Sequence, residues 1–206
     1  MSVLVGNLFL NIAFCLYLIL YFPQIYHNYR HTAFENMSFL MHLMILQAYS
    51  CDLCYALLRN MPWQYLCVCM IGLFCLAIQH LQWFKYLKSR NRYYFLLLGC
   101  LIIIWPLVSY CMFSNYKFYA GISRVLFLVH FIPQIYRYHQ NKLPRDAVNQ
   151  TYLAFSIIIS ICDLISAVCL NWDFANQLGT ILSLGLKAYL YFQGMFPKQL
   201  LQSQLL

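Results

Sequence analysis

Two carboxylates stand in near-identical apolar settings, Asp52 within CDL at 51–53 and Asp163 within CDL at 162–164. An ionised side chain in a lipid-spanning helix costs about 2.5 to 3.5 kcal/mol on insertion scales, so it persists where it faces a cavity or a partner. Such a carboxylate can bind a cationic group or carry a proton. Arg124 and Lys187 also fall inside apolar segments. At about 1.5 Å of rise per residue, Asp52, Asp163 and Arg124 come out at roughly 9, 12 and 10 Å from one edge of the apolar layer. All three can meet there. A static ion pair between Arg124 and one aspartate leaves the other with less compensation, and that second carboxylate is the candidate proton carrier.

The elements that hold these groups follow from composition. Of 206 residues, 63% are hydrophobic and 9% charged, far from a soluble domain. Seven apolar segments of spanning length fit without overlap, at 3–24, 38–58, 62–84, 94–114, 117–137, 151–171 and 174–196. The expected fold is an all-α integral membrane protein of seven transmembrane helices. The first segment lacks a basic leader and a cleavage site and reads as a mature helix. A net charge of +8 does not indicate nucleic acid, because the 13 Lys and Arg collect in short gaps between apolar runs. All ten cysteines lie inside apolar segments, so CxxC at 51–54 reads as small core residues; neither a metal site nor a disulfide framework is expected. With no nucleophile, metal cluster or phosphate loop, the chain reads as a non-enzyme with no catalytic residues and no cofactor.

Arg30, Lys85, Lys88, Arg90, Arg92, Arg137, Lys142, Arg145 and Lys198 fall on one side of these segments, against Arg59 and Lys117 on the other. The excess places the carboxyl terminus in the cytoplasm and the amino terminus outside it or in a lumen. The sequons at Asn36 and Asn149 then lie in cytoplasmic loops, beyond the reach of glycosylation.

The chain is also built twice. Pro-Gln-Ile-Tyr occurs at 23–26 and at 133–136, an offset of 133 − 23 = 110, and the two aspartates are offset by 163 − 52 = 111. Three segments per copy with one between them make the repeats parallel: 1–84 and 117–196 are the repeats, 85–116 is a basic loop with a linker helix, and 197–206 is a cytoplasmic tail. The linker helix carries Pro106, tolerated where neighbours satisfy the freed carbonyl. Proline near the cytoplasmic end of a helix weakens it one turn earlier. A helix stop explains one such proline, but Pro23 and Gln24 recurring as Pro133 and Gln134 point to a hinge in each half.

The doubled Pro-Gln-Ile-Tyr, each followed by a basic loop and a helix in a 3+1+3 layout, resembles the PQ-loop transporters. These include lysosomal exporters of cystine and of cationic amino acids, and they are similar in fold to the sugar-transporting SWEETs. The resemblance implies a solute path between two triple-helix bundles, bent open and shut at the prolines, with Asp163 or Asp52 at the place of the proton-coupling aspartate. Lys187, six residues before Gln193, departs from the pattern, since cystine exporters have an acid there. It either neutralises an aspartate or binds a substrate carboxylate. His130, three residues before Pro133, matches a base in those exporters, while the plain reading is a hydrogen-bonded packing histidine. His42, Gln47, Ser50, Ser156 and Ser160 share faces with the aspartates, to line a cavity or join helices. The tryptophans read as interface anchors.

The expected function is transport of a small solute, an amino acid of the cystine or cationic type, by alternating access. Proton coupling is left open, and so is the choice between a lysosome-like and a bacterial inner membrane. A SWEET-like sugar facilitator and a non-transporting receptor are the alternatives. The partners are the solute, protons if coupled, and the lipid bilayer, with no nucleic acid; the oligomeric state is undetermined.

Overall fold

The computed structural model describes residues 2–31, 37–86, 92–112, 115–141, 148–172 and 174–195, and these are helical with short turns. In order they form α1 (Ser2–Leu20), α2 (Phe22–His31), α3 (Phe39–Leu58), α4 (Trp63–Tyr86), α5 (Arg92–Met112), α6 (Tyr116–Val129), α7 (Ile132–Asn141), α8 (Gln150–Cys169) and α9 (Phe174–Met195). The tail at 197–206, Asn36 and the cations Lys88, Arg90, Lys142, Arg145 and Lys198 lie outside the described residues.

Among the described residues, five stretches are long and apolar enough to cross a membrane: Val3–Arg30, Phe39–Leu58, Trp63–Lys85, Tyr116–His139 and Gln150–Cys169. That is two fewer than the seven segments expected. The linker helix α5 contributes a shorter apolar stretch, Leu96–Met112. Helix α9 has 22 residues, but Gln177, Thr180, Ser183, Lys187 and Gln193 dilute its apolar character. Large exposed side chains such as Leu4, Phe74, Leu97, Val125 and Phe192 lie on the outside, as in a protein whose solvent is lipid.

Helix ends also depart from expectation. The segments at 3–24 and 117–137 do not stop near their prolines. Each breaks just before the proline and restarts as a second helix, α2 or α7. Pro23 and Pro133 each occupy the second position of the new helix, where a missing N–H costs little and the fixed φ favours the first turn. The restart is anchored by Ile25 N–H to the Tyr21 carbonyl (2.9 Å) and by Ile135 N–H to that of Phe131 (3.0 Å).

Packing follows the internal offset. Helix α1 lies against α8 and α3 against α6, two contacts that exchange when 110 or 111 is added or subtracted. Helix α3 also meets α4, α8 meets α9, and α5 rests on α3 and α4. Helix α5 runs unbroken through Pro106, whose carbonyl accepts from Ser109 Oγ (3.0 Å) and from Cys54 Sγ (3.4 Å). The core centres on Tyr21, Leu46, Tyr49, Leu76, Phe131 and Leu153, contributed by both halves.

Candidate functional site

Helices α3 and α8 place Asp52 and Asp163 six residues before their last residues, 58 − 52 and 169 − 163. Both carboxylates line one cavity of about 140 Å³, with Tyr17, Tyr49, Tyr65 and Phe127 among its walls. Gln64 and Trp172, beside the α3–α4 and α8–α9 turns, extend the lining toward that end of the molecule, the aspartate face.

Each aspartate has its own set of donors. The Tyr65 hydroxyl donates to Asp52 Oδ2 (2.7 Å), Ser123 Oγ to Asp52 Oδ1 (2.9 Å), and Cys69 Sγ to Oδ2 (3.4 Å). Asp163 Oδ2 accepts from the Tyr17 hydroxyl at 3.2 Å. Each also feels a different cation: Arg124 acts through space on Asp52, and Lys187 on Asp163. Arg124 thus stands with one aspartate, and the other has Lys187. Arg124 follows α6 onto α3, while Lys187 follows α9 onto α8. Lys187 Nζ donates to Ser160 Oγ (2.6 Å), and Ser160 Oγ in turn donates to the Ser156 carbonyl (2.9 Å). The Arg124 guanidinium also lies 5.6 Å from the Tyr55 ring centre.

A smaller cavity of about 40 Å³ continues inward, lined by Lys187, Ser156, Ser183, His130 and Tyr152. Tyr17, Tyr49 and Phe127 line both cavities and form a waist between them. The Tyr49 and Phe127 rings meet edge to face, centroids 4.9 Å apart. His130 is buried, its Nδ1 2.8 Å from the Phe127 carbonyl and its ring 3.9 Å from that of Phe131, which suits the packing reading.

Beyond the waist the two Pro-Gln pairs close the other end, the motif face. Gln134 Oε1 accepts from the backbone N–H of Ser38 at 2.6 Å, and Gln24 Oε1 accepts from that of Asn149 at 2.8 Å. Ser38 and Asn149 are the N-caps of α3 and α8. Each glutamine therefore reaches across to the opposite half and satisfies an N–H at the start of its aspartate-bearing helix. Arg137 Nη1 adds a bond to the Met37 carbonyl (2.8 Å), and Gln24 is itself oriented by donating to Asn28 Oδ1 (2.7 Å).

Residues 5–65 match the PQ loop repeat family. The match covers about the first third of the chain. Members of this family are typically membrane transporters rather than enzymes, and the apolar helices fit an integral multi-pass membrane protein. No curated protein matches the chain. The expected site residues separate by place. Asp52 and Asp163 line the outer cavity, Lys187 and His130 the inner one, Arg124 stands behind Asp52, and Pro23, Gln24, Pro133 and Gln134 lie at the motif face. His42 is stacked on His80, ring centres 5.3 Å apart, and Gln47 bonds within its own helix to Cys51 Sγ (3.1 Å).

Sequence reasoning missed Tyr17, Tyr49, Tyr65, Ser123 and Phe127. One signal was present: Tyr17 and Phe127 stand six residues before Pro23 and Pro133, so the offset of 110 pairs two aromatics at the waist. Tyr65 and Ser123 carry no comparable pattern. Among the described residues no group of three or more His, Cys, Asp or Glu is placed to hold a metal.

Proposed function

We propose that the chain carries a small solute of the amino-acid class across a membrane by alternating access, as two parallel triple-helix repeats joined by α5 in a seven-helix 3+1+3 arrangement. One observation carries this reading: the carboxylates from both halves line a single cavity that is closed beyond its waist by reciprocal glutamine bonds. The charge asymmetry assigns the motif face to the cytoplasm. The shape is then that of a carrier open away from the cytoplasm and shut toward it.

The solute's ammonium or other cationic group meets Asp52 and Asp163 in the outer cavity, and the tyrosine rings supply aromatic faces for it. Passage toward the cytoplasm needs Tyr17, Tyr49 and Phe127 to part and the glutamine bonds to open. The helix breaks before Pro23 and Pro133 are where bending is least costly. Lys187 beside Asp163 favours a second version of the same function. Its ammonium can take the place of a coupling proton when the site is empty, so solute exchange proceeds without a proton gradient.

The test is uptake of labelled amino acids and sugars into proteoliposomes, with and without an imposed pH gradient, for wild type and Asp163→Asn. Gradient-driven amino-acid uptake that the variant loses establishes a proton-coupled carrier. Amino-acid uptake indifferent to the gradient selects the Lys187 version. Sugar uptake alone selects a facilitator, and saturable binding with no flux of any solute overturns transport in favour of a receptor.

A further inference from the structure

A separate cavity, of about 370 Å³, lies between the end of α3 and the start of α6, lined by Tyr55, Arg59, Tyr116, Lys117, Gly121 and Arg124. Three of these are cations. Arg59 and Lys117 are the two basic residues that the charge count leaves on the sparsely charged aspartate face, and both fall in this groove together with Arg124. Random placement of two rare charges does not require that. Each arginine is held against a tyrosine of the opposite helix. The Arg59 guanidinium lies 4.9 Å from the Tyr116 ring centre and that of Arg124 5.6 Å from Tyr55. Two guanidinium forks are so fixed on facing walls, which is the arrangement that grips an oxyanion at low entropic cost. The amino-terminal end of α6, at Lys117, adds the positive end of a helix dipole. Part of the Arg124 charge is offset by Asp52, and the other two cations leave the groove positive.

The groove is not a consequence of the duplicated fold. Subtracting 110 from Tyr116 gives Gly6, and adding 111 to Arg59 gives Leu170. There α1 and α8 close up, so that a Cβ on Gly6 would lie 2.7 Å from Leu170 Cγ. At the related contact, between α3 and α6, a Cβ on Gly121 meets nothing within 4 Å. The repeat mates of Arg59, Lys117 and Arg124 are Leu170, Asn7 and Phe14, none of them charged.

We propose that this groove binds a phosphate-bearing anion. Its depth matches lipid phosphate. Arg59 follows directly on the apolar stretch Phe39–Leu58 and Lys117 is the second residue of Tyr116–His139, so both stand at the edge of the apolar layer. Phe118 and Val125, 48% and 58% exposed, give apolar flanks along α6 on which acyl chains can lie. A soluble phosphate has the same oxygen chemistry without the chains. The site is separate from the solute cavity and does not depend on the chain being a carrier.

The experiment measures equilibrium binding to the purified full chain of radiolabelled phosphatidylglycerol in mixed micelles, against phosphatidylcholine, and of inorganic phosphate by dialysis. The variants are Gly121→Phe, which fills the groove, Arg59→Gln with Lys117→Gln, which removes its charge, and Gly121→Ala, which leaves it open. Phosphatidylglycerol binding that weakens tenfold or more in the filled and neutralised variants, and is unchanged in Gly121→Ala, assigns the site to lipid. The same pattern for inorganic phosphate assigns it to a soluble anion. Binding of neither to wild type, or equal binding by wild type and the folded Gly121→Phe chain, overturns the proposal.

Discussion

Replacing Gln134 by alanine leaves the Ser38 N–H without its 2.6 Å acceptor. An unsatisfied buried backbone donor costs about 1 to 3 kcal/mol. If the bond exists only while the motif face is closed, that cost falls on the closed state alone. The ratio of open to closed at that face then rises by a factor of about 5 to 150. Gln24→Ala removes the partner bond to Asn149, on a different helix end, so the two losses combine roughly additively in free energy. Gln134→Glu is the control: its carboxylate still accepts from Ser38, and negative charge at a helix start is favourable. The assay is labelling by a membrane-impermeant thiol reagent, with native cysteines replaced. One reporter is Thr180→Cys on the outer cavity and the other Ser156→Cys on the inner one. The double variant should expose Ser156→Cys to the motif face at least tenfold more and Thr180→Cys to the aspartate face less, with Gln134→Glu as wild type. A folded double variant whose two accessibilities stay within twofold of wild type refutes the reasoning that these bonds hold the face shut.

Other outcomes follow from single contacts. Lys187→Met removes the cation that acts on Asp163 and frees Ser160, so transport by the variant should become responsive to an imposed pH gradient, measured as gradient-driven accumulation. A Cβ at Gly72 would sit 2.5 Å from Tyr49 Cε1. Gly72→Val should therefore force α4 from α3, costing about 1 to 3 kcal/mol and lowering the thermal midpoint in detergent. Asn149 Oδ1 accepts from Thr151 N–H (2.9 Å) and Tyr152 N–H (3.2 Å). Asn149→Ala should cost about 1 kcal/mol of chain stability in a denaturation series, and Asn149→Ser should recover most of it.

Much of this was legible in the sequence because it is written there twice. An offset of 110 or 111 carries the prolines, the glutamines and the aspartates, and a carboxylate in an apolar helix is informative by its cost. The spacing placed Asp52 and Asp163 at one depth, and the structure brings them to one cavity. What the sequence withheld depends on which helix lies beside which. Depth alone left open which acid stands with Arg124 and which with Lys187; the packing of α6 on α3 and of α9 on α8 sets Arg124 with Asp52 and Lys187 with Asp163. The glutamines read as part of a hinge. That each reaches the opposite half is a property of folded loops separated by 134 − 38 = 96 and 149 − 24 = 125 residues. Helix breaks at Tyr21 and at His130–Phe131 were placed several residues late, since a proline tolerated in a first turn looks from sequence like one that ends a helix.

The central claim is alternating access, and counterflow tests it most directly. Proteoliposomes preloaded with an unlabelled amino acid are diluted into a trace of the same labelled compound. The account predicts that preloading accelerates and transiently concentrates the label inside, and that disabling the cavity by Asp52→Ala with Asp163→Ala abolishes the effect. Label that binds saturably to the protein, yet never exceeds its outside concentration with any preloaded amino acid, would contradict it.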